Sequence, residues 1–330
     1  MEILVMQGDA EGTKTVCARH PYDWDPCIHE TYQFVQMSLD ALPPLDRLSA
    51  LLERFRVSAR LFHSGALCGV STFDAQPGRG FLHVLRQGEL VVTHRKGTGA
   101  ARRIEAREPT LFFYPQPLTH QFHNAPEEGA DFTCASVHFE GGASHPLVRA
   151  LPPLIVLPLA KAPGLEGALN LLFLEADGVR CGHHLIADRL FEVVLLQLLR
   201  WLLDHGEEGG ISVGLASGLA DPQLARALTA MHAHPGHPWS IDSLADKAGM
   251  SRSAFASRFK GIVGLTPADY LADWRMTIAK KSLRQGQSVK AIAPELGYAN
   301  ASALSRVFGQ REGMSPRQWL QSAAPAGDGA

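Results

Sequence analysis

Two stretches near the end of this 330-residue chain repeat one pattern, and the repeat limits what it can fold into more than any other feature. In the first, Ser240 precedes Ile241, Leu244, Ala245 and Ala248, apolar residues spaced along one helix face. Gly249 follows, suited to the left-handed conformation that ends a helix, and Ser251 is placed to cap the next. Phe255, Phe259 and Ile262 then recur at helical spacing. The second stretch keeps this order: Ser288; then Val289, Ile292, Ala293 and Leu296; then Gly297; then the cap Asn300 ahead of Leu304 and Phe308. Each stretch is expected to form a helix, a tight turn and a second helix. Between them Thr266-Pro267 reads as N-cap and first residue of a long helix with a core stripe of Leu271, Trp274 and Ile278.

The outward faces of the two second helices are alike. Ser253, Ala256, Ser257 and Lys260 share one, flanked by Arg252 and Arg258; Ala301, Ser302, Ser305, Arg306 and Gln310 share the other. Short side chains with a basic rim can enter a major groove while the cations meet phosphates. Net charge is −2, which looks wrong for a nucleic-acid binder until the chain is divided. From Asp221 onward there are 13 Lys and Arg against 8 Asp and Glu, a surplus of five cations. The preceding part has 18 against 25, a deficit of seven. That asymmetry suggests a nucleic-acid partner for the basic end. A plain helical bundle is the competing interpretation of the apolar pattern alone.

The run Trp239–Trp319 resembles the DNA-binding domain of the AraC/XylS family of transcription regulators. The resemblance is carried by Ala248-Gly249-Met250-Ser251-Arg252-Ser253, Arg258-Phe259-Lys260, Gly264-Leu265-Thr266-Pro267, Tyr270-Leu271 and Trp274-Arg275-Met276. Further on come Ile292-Ala293, Leu296-Gly297-Tyr298, Ser305-Arg306-Val307-Phe308 and Gly313-Met314-Ser315-Pro316. It implies double-stranded promoter DNA as partner, with both second helices in successive major-groove segments, and it brings in RNA polymerase and a second copy of the chain as further partners. By position, Ser253, Ala256, Ser257, Ala301, Ser302, Ser305 and Arg306 become base-facing candidates; Arg252, Arg258, Lys260 and Arg311 become phosphate candidates, and Gln310 joins them as a DNA-binding candidate. Arg306 stands out because arginine can grip guanine with two hydrogen bonds. Two residues depart from the pattern. Pro294 falls inside a helix, where it removes the bond to the Lys290 carbonyl, and Gly309 stands where the family usually has lysine.

The chain is too long for one typical domain. From Arg60 to about Phe139, short runs such as Leu90-Val91-Val92 and Leu111-Phe112-Phe113 alternate with Gly, Pro and Asn, the mark of an all-β sandwich or barrel. The expected class is α+β: an N-terminal cupin-like jelly-roll β-barrel, then a C-terminal all-α domain with two helix-turn-helix motifs joined by a long helix. The expected boundaries are residues 1–204 for an effector-sensing and dimerisation domain with a helical tail, 205–222 for a linker, 223–322 for the DNA-binding domain and 323–330 for a flexible tail. Within the first, Leu45, Leu48, Leu51, Leu52 and Phe55 suggest an amphipathic helix. Leu185–Leu203 suggests another, apolar over more than one stripe, with Leu190, Val193, Val194, Gln197, Leu198, Trp201 and Leu202 on a broad face; it reads as a core helix or a dimer interface.

The cupin resemblance rests on Gly78–Glu89 and Pro115–Asn124. His83, Glu89, His120 and Asn124 match the metal-binding positions of cupin enzymes, but Leu85 replaces the second histidine of the first motif. The resemblance therefore leaves two alternatives: a divalent-metal or effector site, with His63 or Cys68 as an extra ligand, or a degenerate barrel whose histidines are merely hydrogen-bonded. Five cysteines at wide spacings exclude a disulfide framework and a zinc ribbon. Cys17, beside Arg19-His20, and Cys68, near His63, are the redox candidates. His183-His184 and the trio His232, His234 and His237 resemble metal clusters, but solvent exposure accounts for the trio, which sits among Pro and Gly ahead of the DNA-binding run. The N-terminal residues lack a signal-peptide pattern and no run reaches a membrane span, so a cytoplasmic location is expected. A metal-dependent cupin enzyme with an appended DNA-binding domain is the alternative function, and a module that has lost DNA affinity through Pro294 is a third.

Overall fold

The computed structural model describes residues 5–8, 14–17, 45–125, 129–206, 208–211 and 213–323. Contacts divide the chain into two units, residues 1–44 and 45–330. In the first, β1 (Val5–Gly8) and β2 (Lys14–Cys17) pair antiparallel. Cys17 ends β2, but its side chain lies outside the described residues, as does all of Cys27.

The second unit begins with a single helical turn, α1 (Ser49–Leu52), shorter than the apolar spacing suggests. Leu48, Leu51 and Phe55 are nevertheless buried. Eight strands follow in order: β3 (Val57–Leu67), β4 (Val70–Phe73), β5 (Arg79–Gln87), β6 (Leu90–His94), β7 (Arg103–Ala106), β8 (Thr110–Tyr114), β9 (His120–His123) and β10 (Ala130–Phe139). A short helix α2 (Pro146–Ala150) and strand β11 (Ile155–Pro158) complete the β domain. The strands form a five-stranded sheet, β11-β8-β5-β10-β3, and a four-stranded sheet, β4-β9-β6-β7, with every pairing antiparallel. The described strands make two sheets without closing into a continuous barrel, which fits the expected cupin-like jelly roll.

Period-two alternation on β5 and β8 explains how one sheet serves two cores. Phe81, Leu85, Phe112 and Tyr114 point into a layer shared with Leu90, Val92 and Phe122 of the smaller sheet. Leu82, Val84, Leu111 and Phe113 point the other way, into a core shared with the helices. The strands are apolar on both faces because both faces are covered, the pattern otherwise typical of parallel sheets.

Helices α3 (Glu166–Ala176) and α4 (His183–Asp204) cover the outer face of the large sheet. On α4 the buried stripe is Ala187, Phe191, Val194, Leu195, Leu198, Leu199, Leu202 and Leu203. Gln197 and Trp201, expected within the apolar face, lie at its margin. The remaining helices are α5 (Leu215–Ala220), α6 (Leu224–Ala233), α7 (Ile241–Ala248), α8 (Arg252–Val263), α9 (Pro267–Arg284), α10 (Val289–Glu295), α11 (Ala301–Glu312) and α12 (Pro316–Ala323). The stretch 205–222, expected to be a linker, is not a free tether where it is described. Its helix α5 buries Ala216, Gly218 and Leu219 against α6 and α8, because the small residues allow close approach.

The β domain grips the helical part directly. Arg54 donates to the carbonyls of His232 and Ala233 at 3.1 and 3.2 Å, and Phe55 packs edge-on to Trp274 of α9 at 5.3 Å. His232 is fully buried and hydrogen-bonded to the Tyr270 hydroxyl at 2.5 Å, against the expectation of exposure; His234 and His237 are exposed. Burial holds its imidazole down to about 3, so it stays neutral.

Candidate nucleic-acid interface

Each helix–turn–helix unit is built by local capping. Ser240 accepts from the Ser243 backbone N–H in a reciprocal capping box, and Ser251 accepts from Ala254. In the second unit Ser288 accepts from Ala291, and Asn300 accepts from Ala303 at 2.9 Å. Thr266 caps α9 with Pro267 in first position. The turn glycines Gly249 and Gly297 have φ of 64° and 76°, the left-handed region a side chain resists. Phe255 and Phe259 anchor α8, and Leu304 and Phe308 anchor α11. Pro294 sits in the last turn of α10, exposed, and does not break the helix: the Leu296 and Tyr298 N–H groups still bond to Ile292 and Ala293. The freed Lys290 carbonyl belongs to an exposed residue, within reach of water.

These anchors leave Ser253, Ser257 and Lys260 exposed on α8, with Ala256 half-buried. On α11 Ser302, Arg306 and Gln310 are exposed, with Ala301 and Ser305 half-buried. Among the described residues neither Lys260 nor Arg306 has an ion-pair partner, so both cations face solvent uncommitted.

The other three phosphate candidates are already engaged. Arg258 donates through Nε and Nη2 to Asp221 Oδ2 at 2.9 and 2.6 Å, while Asp221 Oδ1 accepts from the N–H groups of Gln223 and Leu224 at the start of α6. Arg311 bonds Asp269 at 2.9 Å and also Asp273, bracing α11 against α9. Arg252 lies 3.7 Å from Asp242. Sequence reasoning counted cations on the helices but had no means of seeing carboxylates that pair with them from other elements.

The cupin-motif residues divide. His83 and His120 come together, fully buried, with their Nε2 atoms 3.0 Å apart. His120 Nδ1 donates to the Leu118 carbonyl at 2.8 Å, so its Nε2 accepts and His83 must donate. His83 Nδ1 is then a buried lone pair without a partner. Beside them the Tyr114 ring stacks on His120 at 3.9 Å, and its hydroxyl donates to His94 Nε2 at 3.0 Å. Burial pushes His120 down to about 4 and His83 well below its ordinary value, so both are neutral.

Glu89 is exposed in the turn between β5 and β6 and does not join them. His63 bonds the Gly65 carbonyl, and the side-chain oxygen and nitrogen of Asn124 find no partner. Among the described residues no group of three His, Cys, Asp or Glu side chains is placed to hold a metal. The donor set offered here is two imidazoles, short of what divalent-metal sites use. Cys68 is exposed; Cys134, which the sequence did not single out, is buried on β10 opposite His83, and burial pushes its thiol well up.

A two-sheet β domain packed on a pair of helix–turn–helix units defines a class: a DNA-binding regulator with a cupin domain. Residues 46–204 match the family model described as Cupin, and residues 244–322 match a helix-turn-helix domain. An AraC-like transcription regulator of Streptomyces antibioticus is 36% identical over 309 residues, covering 86% of this chain and 99% of that protein. AlkR, a helix-turn-helix transcriptional regulator of Acinetobacter baylyi, is 33% identical over 200 residues, covering 59% of this chain and 64% of its own. Among solved structures, an AraC-type regulator from Chromobacterium violaceum is 27% identical, covers 32% of this chain and 96% of its own, and has a TM-score of 0.30. The chain belongs to the family of AraC-like transcription regulators, and it is a DNA-binding transcription regulator. The enzyme alternative is not favoured by these relatives. No helix among the described residues is long and apolar enough to cross a membrane.

Proposed function

We propose that the chain is a one-component regulator that acts in the cytoplasm on promoter DNA, with residues 223–322 binding the duplex and the cupin domain of residues 1–204 receiving an effector. The face of α8 carrying Ser253, Ala256, Ser257 and Lys260 enters one major-groove segment. The face of α11 carrying Ala301, Ser302, Ser305, Arg306 and Gln310 enters the next. The observation that carries this is the matched pair of capped units, each presenting small side chains beside an unpaired cation. Short side chains read thymine methyls and DNA shape, so Arg306 supplies the main hydrogen-bonded base contact.

The regulator acts as a dimer. Leu171 and Leu174 on α3, with Leu185, Ile186, Val193 and Leu196 on α4, are exposed apolar residues on the two helices that cover the large sheet. RNA polymerase is the partner that promoter binding brings alongside. An oxidant as effector has one favourable observation, the exposed Cys68, and Cys68→Ala that leaves the response to hypochlorite unchanged removes that alternative.

The test is binding of purified protein to the DNA upstream of its own gene at two salt concentrations, with Arg306→Ala alongside. Wild type should bind specifically, and Arg306→Ala should lose about 1–3 kcal/mol of discrimination while still binding non-specifically. Sequence-indifferent binding by wild type at both salts, with and without hypochlorite or metal, would refute the proposal.

A further inference from the structure

The interior between the two sheets is packed with Phe81, Phe122, Phe132, Tyr114 and the buried histidines. A cavity of about 340 Å³ lies instead on the seam between the β domain and α9. One wall is the segment after β10 and α2, with Glu140, Ser144 and Arg149; the other is the end of α9, with Lys280, Lys281 and Arg284. Phe55 forms an apolar part of the lining.

The charges in the cleft do not balance. Lys281 pairs with Glu140 at 2.8 Å, and Lys280 pairs with Glu312 at 2.7 Å. Arg149 and Arg284 remain, one on each wall, and neither has an ion-pair partner among the described residues; Arg284 lies over the Trp319 ring at 4.8 Å. Glu140 is the latch across the seam. It also accepts from Gln285 of the α9 C-cap at 3.2 Å and from the Arg56 backbone N–H at 3.1 Å.

We propose that this cleft is the effector site and that it takes a small organic acid, a carboxylate or phosphate monoester with an apolar body. Arg149 and Arg284 hold the acidic group, and the body rests against Phe55. The volume is at the small end of ligand clefts, about 300–1,000 Å³. A bound anion would contact both the β domain and α9, the helix joining the two helix–turn–helix units, and would compete with Glu140 for Lys281. Its differential affinity for the latched and unlatched arrangements is what would shift DNA binding. This inference rests on the effector-responsive function proposed above and names its ligand class.

The test uses the full chain with benzoate and phenyl phosphate as probes and phenol as the neutral control, followed by ligand-observed NMR and calorimetry at millimolar concentrations. At least one acid should bind where phenol does not. Arg149→Gln should weaken it about tenfold or more, the loss of one charge-assisted contact, and Arg149→Lys should restore part of it. Because Arg149 is exposed and unpaired, these variants should unfold as wild type does. Failure of both acids to bind wild type, or binding indifferent to Arg149→Gln, overturns the assignment. Specific DNA binding is measured on the same samples; if it persists while both acids fail, the cleft assignment falls and the regulator function stands.

Discussion

The two turn glycines look interchangeable in sequence, yet replacing each with alanine should give very different results. Both lie in the left-handed region, where a Cβ costs roughly 1–2 kcal/mol. At Gly249 that is the whole cost, since an added Cβ would meet nothing within 4 Å. At Gly297 the same Cβ would lie 2.4 Å from the Gly236 carbonyl oxygen, and the Arg275 guanidinium is 3.2 Å away. The oxygen belongs to backbone that is itself hemmed in, because a Cβ on Gly236 would strike the Glu295 carbonyl oxygen at 2.4 Å. Two main-chain segments must therefore separate, which adds about 1–3 kcal/mol of the kind overpacking costs. Gly297→Ala should thus cost about 2–5 kcal/mol against about 1–2 for Gly249→Ala. Thermal and urea unfolding of the full chain, with DNA affinity measured in parallel, reads the difference. Gly249→Ala should keep specific binding with a modestly lowered midpoint, whereas Gly297→Ala should lose contacts at the half-site read by α11. Equal shifts for the two variants would refute the packing argument.

Further outcomes follow from the same geometry. His120 and His145 are held by burial at about 4, and His232 at about 3, so below pH ~6.5 the unfolded chain takes up protons that the folded chain refuses. Stability should therefore fall with acidification, by up to about 1.4 kcal/mol per pH unit for each histidine until its folded value is reached; urea midpoints that match at about pH 7 and about pH 5 would contradict this. Arg258→Ala should cost about 1–2 kcal/mol of stability through the loss of its pair with Asp221, with the salt dependence of DNA binding unchanged. Lys260→Ala should instead lower the salt slope by roughly one phosphate contact, and the opposite assignment of effects would show that Arg258 leaves Asp221 on binding DNA. Leu196→Glu on the exposed face of α4 should convert a dimer to monomers in sedimentation and remove the concentration dependence of the unfolding midpoint, and an unchanged sedimentation coefficient would exclude that face as the dimer contact.

What could be read from the sequence, and what could not, divides by the range of the interactions. Capping serines, turn glycines and aromatic anchors act within a few residues of themselves, so the helix–turn–helix units and the long α9 were legible from spacing alone. The two-sheet β domain was legible as short alternating runs, but which faces were covered was not: Leu82 and Phe113 are buried by helices that come dozens of residues later. Charge partners were the least legible. Arg258 and Arg311 sit where a phosphate contact is expected, yet Asp221 and the pair Asp269 and Asp273 reach them from 37 to 42 residues away. His83 and His120, 37 residues apart, met as the motif spacing implied, while Glu89, only six positions from His83, did not, because a strand of residues ending at Gln87 carries it past the sheet into an exposed turn. The same range argument bears on regulation. The bonds that join the β domain to α9 run from Glu140 and Arg54 to partners 141 to 227 residues distant, so no local pattern announces them. Arg311 then ties α11 to that same helix. A change at the Glu140 latch therefore reaches the second recognition helix through the ion pairs that α9 makes to it, whereas α8 meets α9 by ring packing and has its ion pair with Asp221 instead. The half-site read by α11 is accordingly the one whose footprint should respond to Glu140→Gln, and a footprint altered only at the α8 half-site would reverse that assignment.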